Sequence, residues 1–328
     1  MLDPIMVAVD GSHFSEQAIG YAVTLAERAG AKVNLALVHE PMPNWASTSG
    51  AGSLDQQGRA AEQAYVDALV KGLAERTSVA VSGDIISAPG ATALEEHAVR
   101  QGFTTSLLNR PVAGALALHA QERRAALVVL STHGRGAIRR LWLGSVAEQL
   151  VWQIDIPVLL IKPADESDPS LPPPPPPPFR HVLVPLDTST ASAAIIDTAM
   201  AIGRLSNARF TLLTVHQDPG AYLGTPDEIN PQAMARLIQD QVAATRTYLD
   251  EVAARFVSEG LEATTLTVTA DSPTAGILRV AEDQRADLIA MSTHGGGVKG
   301  MLMGSVTARV VQRAAVPILI VRPAPEQT

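Results

Sequence analysis

One stretch of this chain combines residue types and spacings that suit chemistry: Ser131-Thr-His-Gly134-Arg-Gly136-Ala-Ile-Arg-Arg-Leu-Trp-Leu-Gly144-Ser145-Val146. The apolar run Leu127 to Leu130 leads into it, and a helical pattern through Gln153 follows. Glycines let backbone amides come close to a ligand, and a helix start offers free N–H groups and the positive end of the helix dipole. Together they make a cradle for an anion, phosphate above all. The spacing matches neither the P-loop pattern nor the dinucleotide fingerprint. A second version, Ser292-Thr-His-Gly295-Gly296-Gly-Val-Lys-Gly-Met-Leu-Met-Gly304-Ser305-Val306, is one residue shorter between its outer glycines.

Other candidates lie around these loops. Asp10 ends the apolar run Ile5 to Val9 and is followed by Gly11-Ser12, a strand exit that could face a ligand; Asp187, after Val182-Leu-Val-Pro185-Leu, stands in the same place. Aspartate also favours such turns for purely local reasons. Ser145 reads as a helix cap as well as a phosphate contact, because Glu148 three residues on would complete a capping box. Ser305 has Ala308 at that position. His133 and His294 read as residues held by loop backbone rather than as general bases. Arg135, Arg139 and Arg140 could offset phosphate charge in the first loop, whereas the second has Lys299. No acidic pair at metal-ligand spacing and no nucleophile–base motif accompanies them, so any phosphoryl chemistry should be slow.

The elements that must position these residues occur twice. Ile5–Asp10 matches Val182–Asp187, Val33–His39 matches Phe210–His216, Ala126–Gly134 matches Asp287–Gly295, and Ile156–Ile161 matches Val316–Val321, all in the same order. Helical periodicity marks 14–29, with Phe14, Ala18, Ile19, Ala22, Leu25 and Ala26 on one face, and also 57–76, 190–205 and 231–259. The strands are nearly unbroken Val, Ile and Leu, as in parallel strands covered on both faces. The expected fold is therefore α/β: two tandem, doubly wound, open parallel sheets of Rossmann-like type, with ligands beyond the carboxyl ends of the strands. Seven consecutive prolines, Pro172 to Pro178, separate the copies. As a polyproline II spacer they span about 22 Å at roughly 3.1 Å per residue. The expected boundaries are domain 1 at 1–163, linker at 164–179 and domain 2 at 180–328. The first copy is longer between its second strand and its loop, where Ile85–Ala98 resembles Leu107–Ala120. That surplus reads as an extra strand–helix unit or as loop slack.

The glycine segments resemble the signature of the universal stress protein family, in its ATP-binding branch, G-x2-G-x9-G-[S/T]. The resemblance extends over both halves, in the tandem arrangement that this family also uses. Gly134-x9-Gly144-Ser145 fits, whereas Ser131 and Ser292 stand where the pattern has its first glycine. The resemblance implies an adenine nucleotide alpha hydrolase-like fold that binds ATP, ADP or another adenine nucleotide, with room for a magnesium ion on the phosphates. It implies adenosine contacts from Asp10, Gly11, Val38, Pro185, Asp187 and Val215. It implies ribose and phosphate contacts from Gly134, Arg135, Gly136, Gly144, Ser145 and Val146, and from Gly295, Gly296, Gly304, Ser305 and Val306. It also implies pairing of the two domains through the last strands, Val158–Lys162 and Ile318–Arg322, and a further homodimer. A nucleotide-responsive stress protein is the leading reading. A family member that binds protein partners without nucleotide, and a slow ATPase, are the alternatives.

Composition narrows the field. A net charge of −8 argues against a nucleic-acid partner, which would need clustered Lys and Arg. No cysteine is present, which excludes disulfides, thiolate catalysis and cysteine-type zinc sites. No apolar stretch approaches the roughly 20 residues of a membrane helix, and a cytoplasmic location is the expectation.

Overall fold

The computed structural model describes residues 2–40, 51–87, 111–132, 144–163, 179–217, 231–293 and 304–323. The chain divides into two compact units, Met1–Pro177 and Pro178–Thr328. The proline run lies outside the described residues.

In the first unit the elements are β1 (Ile5–Val9), α1 (His13–Ala29), β2 (Val33–His39), α2 (Ala51–Ala74), β3 (Val81–Ser87), α3 (Pro111–Glu122), β4 (Leu127–Ser131), α4 (Ser145–Gln153) and β5 (Val158–Ile161). The strand order is β3-β2-β1-β4-β5, and every pairing is parallel. The second unit repeats this with β6 (His181–Pro185), α5 (Thr190–Ala193), α6 (Ile196–Ser206), β7 (Arg209–Gln217), α7 (Pro231–Ser258), β8 (Glu262–Ala270), α8 (Pro273–Asp283), β9 (Leu288–Ser292), α9 (Ser305–Arg313) and β10 (Ile318–Val321). Its order is β8-β7-β6-β9-β10, again parallel throughout. In each unit the chain builds outward from its first strand in one direction and then returns to build in the other. The switch falls between β1 and β4, and between β6 and β9.

Burial follows from this layout. The inner strands, covered by helices on both faces, are buried almost throughout, Leu127, Val128 and Val129 completely. The edge strands β3 and β8 are mostly half-buried and carry Ser82, Asp84, Thr265 and Thr267. Helix α1 buries Ala18, Ile19, Ala22, Leu25 and Ala26 against the sheet and ends at Gly30, whose φ of 63° closes it in the left-handed conformation. Phe14, expected on that face, is half-buried; Ser15 takes the buried place because its hydroxyl is bonded inside the preceding turn. In the second unit α6 packs so closely on β7 that a Cβ at Gly203 would stand 2.1 Å from the Phe210 ring. That ring meets Phe256 of α7 edge-on, centroids 4.7 Å apart.

Three expectations change. Helix α2 begins at Ala51 rather than 57. The expected helix 190–205 is two helices. The Ala191 carbonyl accepts the Ser292 hydroxyl at 2.7 Å and the Ala194 amide, three residues on, at 3.4 Å. A side chain inserted on a helical carbonyl is a known cause of such a break. The surplus of the first unit lies between β3 and α3: Ser87 to Pro111 is a long passage, whereas Ala270 to Pro273 in the second unit is a tight turn. The first similar segment thus contributes the end of β3 and the second contributes α3. Residues 88–110 are outside the described residues, and each unit has five strands among those that are described.

Candidate functional site

The carboxyl end of β1 is shaped by Asp10, Ser12 and Ser15. Asp10 Oδ1 accepts from the Ser12 amide at 2.9 Å and the Ser12 hydroxyl at 2.6 Å. Ser12 in turn caps α1, its Oγ accepting from the Ser15 amide at 3.2 Å. The Ser15 hydroxyl donates to the Ser12 carbonyl at 2.9 Å and accepts from the Asp10 amide at 3.2 Å. Gly11 takes a φ of 79°, which its lack of a Cβ permits. Asp10 therefore does form the local turn, and the turn fixes the direction of its carboxylate.

The second unit rebuilds the same network atom for atom. Asp187 Oδ1 accepts from the Ser189 amide and hydroxyl, Ser189 Oγ caps the helix at the Ser192 amide, and Ser192 Oγ donates to the Ser189 carbonyl. Thr188 holds the Gly11 position at a φ of 68°. A left-handed β-branched residue is uncommon and is retained here by the network around it. The D-x-S-x-x-S repeat was available in the sequence but carried no weight there. It was the signal for Ser12, Ser15, Ser189 and Ser192.

Across the switch point lie the ends of the glycine loops. The Gly144 amide donates to the Thr132 carbonyl at 2.8 Å, and the Gly304 amide to Thr293 at 2.8 Å. Each loop thus leaves its strand and returns at one point. A Cβ on Gly144 would stand 2.9 Å from the Thr132 oxygen, so the return needs glycine for space. Gly144 and Gly304 are also the helix caps, and glycine has no side chain to offer the first-turn amides of α4 and α9. Helices α1, α5 and α8 are all capped by serine. The capping-box expectation for Ser145 and Glu148 is therefore corrected: Ser145 is the first helical residue, because the Thr132 contact places the cap on Gly144. Ser145 and Ser305 are exposed, with Val146 and Val306 half-buried beside them. In the second unit, Ser292 anchors the end of β9 to α5 and the Thr307 hydroxyl donates to the Ser292 carbonyl at 2.9 Å.

Apolar residues flank this crevice. Val38 is the half-buried residue in the otherwise buried β2; Val215 near the end of β7 and Pro185 at the end of β6 are likewise half-buried. Val215 is pressed by α8, where a Cβ on Gly276 would stand 2.5 Å from Val215 Cγ1. Asp10, Val38 and Gly144 thus come to the carboxyl ends of the adjacent strands β1, β2 and β4, and Asp187, Val215 and Gly304 to those of β6, β7 and β9. Gly134, Arg135, Gly136, Gly295 and Gly296, with His133 and His294, lie outside the described residues. A cleft of about 370 Å³ in the second unit, lined by His181, Arg209, Thr211, Glu262 and Gln284, opens at the opposite, amino-terminal ends of the strands. It takes no part in this crevice.

Three further side chains escaped the sequence reading. His39, the last residue of β2, is buried, with Nδ1 2.7 Å from Glu62 and Nε2 3.3 Å from Asp55, both on α2. Tyr65 of α2 donates its hydroxyl to Glu16 of α1 at 2.9 Å. Tyr248 of α7 lies by Asp187: burial pushes its phenol above the usual range, and the Asp187 carboxylate adds to the effect.

These features define a class: tandem doubly wound α/β units, each with a glycine-capped helix start and a fixed aspartate at its switch point. The family model of the universal stress protein family matches residues 1–162 and 178–322, and the chain belongs to that family. A universal stress protein of Mycolicibacterium smegmatis is 29% identical over 230 residues, 68% of this chain and 70% of that protein. Universal stress protein Rv1996 of Mycobacterium tuberculosis is 26% identical over 325 residues, 97% of this chain and 94% of the other. The crystal structure of a universal stress protein from Archaeoglobus fulgidus has a TM-score of 0.61 at 17% identity, covering 100% of this chain and 98% of that one. This last likeness concerns the fold. No helix among the described residues is long and apolar enough to cross a membrane.

Proposed function

We propose that the protein is a nucleotide-responsive stress protein that binds ATP, or another adenine nucleotide, at the switch point of each unit. One observation carries this reading: a carboxylate with fixed direction and a glycine-capped helix start lie at the carboxyl ends of adjacent strands, and the pair is built twice. The glycine-capped starts of α4 and α9 suit phosphate oxygens. Half-buried Val38 and Val215 suit the faces of a base, and the aspartates suit hydroxyl or amino donors of a nucleoside. Gly144, Ser145 and Val146, and Gly304, Ser305 and Val306, would hold the phosphate end. Gly134, Arg135 and Gly136, and Gly295 and Gly296, belong to that end by their place in the family pattern. A magnesium ion would be carried on the phosphates, since no group of three His, Asp or Glu suited to a metal occurs among the described residues.

Hydrolysis is at most slow in this reading. Asp10 and Asp187 are held by their own turns. Heating the protein with increasing Mg-ATP tests the proposal. Binding stabilises the native state by mass action, by about 2.7 kcal/mol at a hundredfold excess over Kd, and so raises the melting temperature. A melting temperature that stays flat up to millimolar ATP would instead favour a family member that works without nucleotide.

A further inference from the structure

The cleft of about 370 Å³ lies at the amino-terminal ends of β6, β7 and β8, away from the crevice. Strand register pairs His181 with Arg209, Arg209 with Glu262, and Thr211 with Thr264. Side chains paired in this way share one face of the sheet, and the two-residue alternation keeps all five on it. That face is the one under the end of α8, because Gln284, the residue after the helix, meets both His181 and Thr211.

His181 and Thr211 form the floor, 5% and 2% exposed. His181 Nδ1 lies 3.0 Å from the Gln284 carbonyl and Nε2 lies 2.9 Å from Thr211 Oγ1. Thr211 Oγ1 in turn lies 2.7 Å from the Gln284 side-chain amide. The Asp287 carboxylate accepts from the Arg180 and His181 amides, so the floor is fixed from below as well. Burial lowers the His181 pKa below its ordinary 6.5, which leaves the floor neutral at pH 7. The rim is charged. Arg209, Glu262 and Asp283 are exposed, and none of them makes an ion pair among the described residues, although Arg209 and Glu262 are register partners.

The first unit fills the same place with its own side chains. Arg124 and Arg285, left-handed at φ 51° and 53°, mark matching helix ends, and the strands match by register. Asn34 Nδ2 donates to Ser82 Oγ at 3.1 Å and to Asp84 Oδ2 at 2.7 Å. Asp84 also accepts from Arg123 at 2.7 Å and meets His119 Nε2 at 3.2 Å. The second unit has Thr211, Leu266, Gln284 and Val280 at the positions of Asn34, Asp84, Arg123 and His119. The carboxylate and guanidinium that close the first network are gone, and the cleft stands in their place.

We propose that this cleft binds a free α-amino acid with an uncharged polar side chain, at a site separate from the nucleotide crevice. Arg209 takes the ligand carboxylate, and Glu262 with Asp283 takes the ammonium group, a division of charge that only a zwitterion satisfies. The hydroxyls of Thr211 and Thr264 and the Gln284 amide both donate and accept, as an uncharged polar side chain requires. The volume stands near the lower end of the roughly 300–1,000 Å³ typical of small-molecule pockets, which fits a ligand of this size.

Calorimetric titration of the full chain with L-glutamine and L-serine provides the test. Two glutamine analogues accompany them: 4-aminobutanamide, which lacks the carboxylate, and glutaramate, which lacks the ammonium group. One amino acid per chain is expected, with each analogue at least about tenfold weaker than L-glutamine. Arg209→Gln and Glu262→Gln should each weaken L-glutamine about ten- to a hundredfold, the value of one charge-assisted hydrogen bond. Because these exposed groups have no ion-pair partner, neither variant should lower the melting temperature. Lys32→Gln, at the first-unit position of Arg209, should leave binding unchanged. Binding of neither amino acid up to about 10 mM overturns the inference. So does an analogue that binds as tightly as L-glutamine, or L-glutamine binding that Arg209→Gln leaves intact.

Discussion

The contact between Gly144 and Thr132 allows a quantitative test of the loop geometry. In Gly144→Ala the new Cβ would meet the Thr132 carbonyl oxygen at 2.9 Å, against a backbone atom that has no rotamer to move. Gly144 has a φ of −55° and a ψ of 139°, a conformation open to alanine, so the conflict is purely steric. Relief to ordinary van der Waals contact requires a shift of about half an ångström, and overpacking of that kind costs about 1–3 kcal/mol. The shift stretches the 2.8 Å bond from the Gly144 amide to Thr132 and displaces the start of α4, where the proposed phosphate contacts are. Scanning calorimetry should show the transition of the first unit falling by several degrees, at about 2–4 °C per kcal/mol for a domain of this size. The ATP-induced rise of that transition should shrink as well. The reasoning is refuted if Gly144→Ala melts as the parent does and keeps the full ATP response.

Other substitutions probe the packing around the crevice. Ser292→Ala removes the 2.7 Å hydrogen bond to the Ala191 carbonyl and should cost the second unit about 1 kcal/mol in urea unfolding; an unchanged midpoint would show that this bond does not hold α5 to β9. Gly203→Ala places a methyl group against the buried Phe210 ring and should destabilise the same unit by about 1–3 kcal/mol, checked by thermal unfolding. The stability of the second unit should also depend on pH through His181. Burial lowers its pKa below the ordinary 6.5, opposed by its bond to the Gln284 carbonyl and reinforced by Arg209. The unfolded chain then binds the proton first, so stability is full above about pH 6.5 and declines as pH falls below it. His181→Gln should flatten that decline in urea titrations at pH 7 and pH 5.5.

Much of this architecture is legible in the residues. Unbroken apolar runs such as Leu127–Leu130 have no polar face to offer water, which requires parallel strands covered on both sides. Their repetition after the proline run gives two units and places Asp10 and Asp187 at matching strand exits. The features that escape are those decided by distance in space. The cap falls on Gly144 rather than Ser145 because the Thr132 carbonyl, remote across the loop, is 2.8 Å away. The helix expected over 190–205 divides because Ser292, about a hundred positions later, reaches Ala191. Tyr65 and Tyr248 occupy the same helical position, yet only the first finds a carboxylate acceptor on the neighbouring helix. Local pattern cannot register such differences, since they depend on which side chain the adjacent element presents.

Native mass spectrometry of the full chain with saturating ATP, alongside Asp10→Ala and Asp187→Ala, tests the central claim most directly. The account predicts two adenine nucleotides per chain, one lost with each single substitution and both lost in the double variant. No mass increment in the parent, or increments that survive both substitutions, would contradict it.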